Sequence, residues 1–142
     1  MKKSLFILIV MFAIIILILT LLIYNRQKEI QRAEIANLEY ERYTTNNILG
    51  SSLMTLINKV IDNNEKNDVE KDEKNLYISN ENNSVIIEVK FIESDDVFRM
   101  EAIAKQGSEA FIKNYNTMSF KCMKKEYHEK TKNISYLYFE QV

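Results

Sequence analysis

Cys122 and His128 are the only cysteine and the only histidine in the chain, and that scarcity bounds its chemistry. A thiol nucleophile needs a neighbouring base or cation to hold it as thiolate. Met118, Phe120 and Cys122 alternate onto one face of an expected strand, whereas His128 falls in a polar turn. The pattern predicts a buried structural thiol. One cysteine cannot close an internal disulfide, and one histidine with one cysteine cannot build a His-rich zinc site. Gly50 and Gly107 are the only glycines, so the chain has no glycine-rich phosphate loop.

Carboxylates are the remaining groups with catalytic potential. Glu88, Glu93 and Glu101 could supply an acid and a base, but surface carboxylates ordinarily serve solvation. The segment DNNEKNDVEKDEKN, residues 62–75, is rich in acids, yet its spacing is not that of an EF-hand loop and it lacks the turn glycine. Asn82 and Asn133 open Asn-x-Ser sequences, which an asparagine-rich chain produces by chance. These features predict a non-enzymatic protein with no catalytic, cofactor-binding or metal-ligating residues and no cofactor.

Those residues must be positioned by elements, and the first element is an anchor. Residues 5–23 read LFILIVMFAIIILILTLLI, uncharged and with Thr20 as the only polar side chain. About 20 helical residues match the ~30 Å hydrocarbon core of a bilayer, and a helix satisfies its own backbone there. A transmembrane helix is expected over 5–24, behind a short basic tail at 1–4 that carries Lys2 and Lys3. The run exceeds the usual apolar region of a signal peptide. Tyr24-Asn25-Arg26-Gln27-Lys28 follows it without a small-x-small cleavage site, so a retained single-pass signal-anchor is expected. Lys2 and Lys3 on one side nearly balance Arg26, Lys28 and Arg32 on the other. The small N-terminal tail and large remainder favour an extracytoplasmic C-terminal domain at the cell membrane.

All 20 acidic residues but only 17 of the 19 basic ones follow the anchor, which gives that part a formal charge of -3. The nearest basic cluster, Lys121, Lys124 and Lys125, is answered in sequence by Glu126 and Glu129. Nucleic-acid binding needs a basic stripe to displace counterions, and none is present. The expected partners are the lipid bilayer and a protein partner or further copies of the chain.

Residues 25–62 are rich in good helix formers and lack proline, so they predict an amphipathic helix continuing from the anchor. Ala33, Ala36, Tyr40 and Tyr43 make a narrow stripe; Leu49, Leu53, Leu56 and Val60, with Ile57 and Ile61 beside them, make a wider one. The weak helix formers at 44–47 and Gly50 predict a kink at 44–50, or else a full break into two helices. Gly50, Ser51 and Ser52 would permit close backbone approach there. Residues 63–75 read as a mobile polar loop. Residues 76–142 read as an antiparallel sheet subdomain. Leu76 to Ile78 and Val85 to Ile92 would form a hairpin, 97–102 a third strand, and 108–115 a short helix capped by Ser108. Strands at 118–127 and 134–140 would complete the sheet, the last apolar on both faces and so central or covered. The fold class is α+β.

Met1-Lys2-Lys3-Ser4 before a lone hydrophobic helix, an amphipathic continuation and a small antiparallel sheet resemble the layout of type IV pilins and pseudopilins. The resemblance is one of layout. No glycine precedes Leu5-Phe6, and no glutamate interrupts the apolar run. The layout is also similar to that of small uncharacterised membrane-anchored proteins of low-GC Gram-positive bacteria; the abundance of Ile, Asn and Lys fits an AT-rich bacterial genome. The pilin likeness implies an accessory or pilin-like subunit of a cell-envelope pilus or secretion assembly. The alternative is a membrane-tethered module that recruits a protein through its sheet.

Overall fold

An apolar run joined to good helix formers makes one unbroken helix, α1 (Lys2–Thr44), about 64 Å long at 1.5 Å per residue. The computed structural model describes residues 2–142, with side chains from Lys3 onward. Met1 lies outside the described residues. Residues 2–4 form the first turn of α1, so the described part of the tail expected at 1–4 is helical. Every described side chain before Ile30 is exposed, and Thr20 returns its hydroxyl to the carbonyls of Ile16 and Leu17 at 2.8 and 2.9 Å. One helix is therefore long and apolar enough to cross a membrane.

The kink expected at 44–50 is a full break. Thr45 turns its hydroxyl back to the Glu41 carbonyl at 2.8 Å, competing with the helical ladder, and the chain leaves the helix. A two-residue strand, β1 (Ile48–Leu49), leads into α2 (Gly50–Lys66). The chain doubles back here: Lys59 reaches Glu39, and Asn63 and Asn67 lie beside Ala36 and Asn37. The wider stripe is the domain's spine, with Leu53, Leu56, Ile57 and Val60 fully buried. Each contributes about 1.5–3 kcal/mol by burial.

Strands β2 (Ile86–Lys90), β3 (Val97–Arg99), β4 (Ser119–Tyr127) and β5 (Ile134–Gln141) complete a five-stranded sheet of order β1-β4-β5-β2-β3. Its inner face, including Ile87, Val89, Phe120, Leu137 and Phe139, packs with α2 into the core. Two short helices, α3 (Met100–Gln106) and α4 (Ser108–Tyr115), close one end. They meet at Gly107, whose φ of 91° a side chain would strain. Phe91 packs there against Phe98, Phe111, Tyr115 and Phe120, with centroids 4.8–6.2 Å apart.

The fold is α+β and the sheet mostly antiparallel, as the alternation predicts, but partners differ from expectation. β2 pairs parallel with β5, Ile87 opposite Leu137 and Val89 opposite Phe139. The hairpin between 76–78 and 85–92 does not form; Tyr77 instead makes an isolated bridge to Lys71. Alternation fixes which face a residue occupies and leaves its partner open. The third strand ends at Arg99, because Met100 and Ile103 bury at helical spacing. Ser108 is the first residue of α4, with Gly107 at the cap and no side-chain capping bond. The loop expected from 63 begins after Lys66, and it is tied down. Asp72 accepts from the amides of Lys74 and Leu76, both at 2.9 Å, and Val69 and Tyr77 are buried.

Candidate functional site

The junction between α1 and the domain is built from three kinds of contact. Ala33, Tyr40 and Tyr43 bury against the domain. Asn37 grips the end of the β4–β5 turn, its Nδ2 donating to the Lys132 carbonyl at 2.8 Å and its Oδ1 accepting from the Ile134 amide at 2.9 Å. Glu41 accepts from Lys125 Nζ at 2.7 Å. This hydrogen bond pushes the Lys125 pKa up, against the opposing effect of partial burial. Burial first, then the charge of Glu39, pushes Tyr40 up to about 12. The helix is thereby fixed in direction and rotation relative to the domain.

Opposite that junction α1 is bare. Ile35 and Leu38 are 70% and 67% exposed. At 100° per residue they lie on the side facing away from Ala33 and Tyr40, which they share with Tyr24, Gln31 and Arg42, all exposed.

The residues singled out from the sequence do not converge. Cys122 is half-buried beside a bulge in β4, where Sγ donates to the Lys124 carbonyl at 3.4 Å; burial pushes its thiol pKa up, away from thiolate. Its expected companion Met118 is 43% exposed, since β4 begins one residue later. His128 is buried in the β4–β5 turn with Nε2 donating to the Ser84 carbonyl at 2.8 Å. It lies six positions from Cys122 along the chain, about 20 Å in extended backbone. Glu88 accepts from the Tyr136 hydroxyl at 2.6 Å on the outer sheet face, Glu93 is exposed, and Glu101 forms a two-point pair with Arg99. Among the described residues no three His, Cys, Asp or Glu side chains group as metal ligands. Of the basic cluster, Lys124 pairs with Glu126 as its spacing suggests, but Lys125 pairs with Glu41 on α1. Asn82 and Asn133 flank the same end of the domain, where the Thr131 hydroxyl donates to the Asn82 carbonyl at 2.8 Å.

Two features were not anticipated. Asn64, assigned by sequence to the polar loop, is wholly buried and pairs with both backbone groups of Val85, at 2.7 and 2.9 Å. A cleft of about 500 Å³ lies between the end of α2, α3 and the 71–77 loop. Its lining combines apolar Ile61, Leu76, Tyr77, Ala102 and Ala104 with Lys71, Lys74 and Lys105. It draws on three separated segments, so no local motif announces it.

Fold and surface together define an α+β domain carried on an apolar N-terminal helix. Comparison with protein-family models, curated proteins and solved structures returned no match.

Proposed function

We propose that this chain is a single-pass, non-enzymatic membrane protein that acts as a pilin-like or accessory subunit of a cell-envelope pilus or secretion assembly, its domain extracytoplasmic. The distribution of faces on α1 carries this reading. One face is locked to the domain through Asn37 and Glu41, while the opposite face presents Ile35 and Leu38 in line with the membrane span. A flexible tether needs no such lock. A subunit that stacks helix against helix needs both a fixed domain orientation and a free apolar face. The flanking charges suit parallel copies: Glu34 borders one side of the bare face, Lys28 and Arg32 the other, and none has an internal partner.

Cysteine cross-linking in cell membranes tests it. Leu38→Cys in a Cys122→Ser background should give disulfide-linked dimers or adducts with envelope machinery. Monomer alone, under conditions where the thiol is reactive, defeats the assembly reading. The second reading, recruitment through the sheet, draws support from the outer sheet face, where the Tyr136 and Tyr138 hydroxyls are held by Glu88 and Glu140 at 2.6 and 2.8 Å. Cross-links from Tyr138→Cys, with none from Leu38→Cys, would favour it.

A further inference from the structure

The geometry points to the cleft between α2, α3 and the 71–77 loop as a binding site for a small amphipathic anion, a carboxylate or phosphate head on an apolar body. This assignment is independent of how α1 assembles. The cleft's volume, about 500 Å³, is that of a small-molecule site, and Ile61, Leu76, Tyr77 and Ala104 give its lining an apolar part. The small side chains of Ala102 and Ala104 on α3 leave the depth open.

Charge complementarity selects the head group. Glu101 lines the cleft and Glu65 and Asp72 stand next to its lining; all three carboxylates are already answered, Asp72 by the Lys74 and Leu76 amides. Glu101 is held by Arg99, with bonds of 2.8 and 3.2 Å, and by the Tyr77 amide at 2.8 Å. Glu65 lies 3.6 Å from Lys71 Nζ, which also stands 4.4 Å over the Tyr77 ring. Lys74 and Lys105 remain, and neither ammonium has an anionic partner. An anion above an apolar floor is therefore favoured over a neutral or cationic body of the same shape. The wall is preformed: Asp72 ties the loop through the Lys74 and Leu76 amides, and Tyr77 is buried, so little ordering accompanies binding.

Methyl NMR of the full chain in phosphatidylcholine nanodiscs tests the site directly, because it reads the cleft separately from partitioning into lipid. Titration with 2-naphthoate and with 2-naphthyl phosphate should give saturable shifts of the Ala102, Ala104 and Ile61 methyls; the tighter of the two names the head group. Neutral 2-naphthol should bind more weakly. Lys74→Glu with Lys105→Glu should weaken the anions by about tenfold or more. Ala102→Phe, at an exposed position, should fill the cleft and remove the shifts without unfolding the domain. The site is refuted if neither anion gives saturable shifts at these methyls, if naphthol binds as tightly, or if either variant titrates like the parent chain.

Discussion

Single residues join the segments of this domain more than the sequence pattern suggests. Asn64 behaves as a strand partner in miniature, its amide serving both backbone groups of Val85 where β2 begins. Asn64→Ala would leave a buried N–H and C=O without partners, and we expect a loss of about 3 kcal/mol in chemical denaturation. Gly50 has the opposite character, needed for what it lacks. A Cβ there would overlap the carbonyl of Tyr115, while the Gly50 amide donates to the Met118 carbonyl at 2.9 Å. Because the obstructing atoms are backbone, Gly50→Ala should cost about 2 kcal/mol or more, measurable as a lowered thermal midpoint. The close approach at Gly50 was legible from Gly-Ser-Ser at a helix start. Asn64 was not, since an asparagine inside a run of Asn, Asp, Glu and Lys looks like its solvated neighbours.

At the scale of elements, periodicity located α2 and most of the strands, missed α3 and failed to pair the strands. The 3.6-residue stripe of Leu53, Leu56, Ile57 and Val60 identified α2 as the spine, and the doubly apolar 134–140 segment is indeed the sheet's centre. The parallel β2–β5 pairing joins segments about fifty residues apart, and no local signal encodes it. The α1 junction is likewise a long-range product, with Lys125 meeting Glu41 across 84 residues. Its titration has a definite sign. Lys125 and Tyr40 both hold their protons more tightly when folded. Tyr40 thus keeps its proton where the unfolded chain, at the ordinary value of 10.0, has lost it. Its contribution is complete below pH 10.0 and is lost as pH rises through about 12. Stability measured across that alkaline window should fall, and Tyr40→Phe should shallow the fall. Identical profiles for the two proteins would show that Tyr40 is not desolvated at the junction.

The whole molecule is a long apolar helix and a domain held in one fixed relation. The apolar helix was the most legible feature of the chain, for nineteen consecutive uncharged residues reach bilayer length when helical. The way the domain rides on it emerged only from the fold: Ala33, ten residues or about 15 Å beyond Ile23, is the first stalk residue to bury. The domain therefore begins about 15 Å beyond the apolar run, and the bare face of α1 runs beside it. If that face joins copies or machinery, charging it should dismantle the assembly and leave the parts intact. Ile35→Glu with Leu38→Glu changes only exposed positions, so folding and membrane attachment should survive. The decisive measurement is the particle mass of the detergent-extracted protein, parent against this double variant. Our account predicts an assembly for the parent and a folded monomer for the variant; equal masses for both would contradict it.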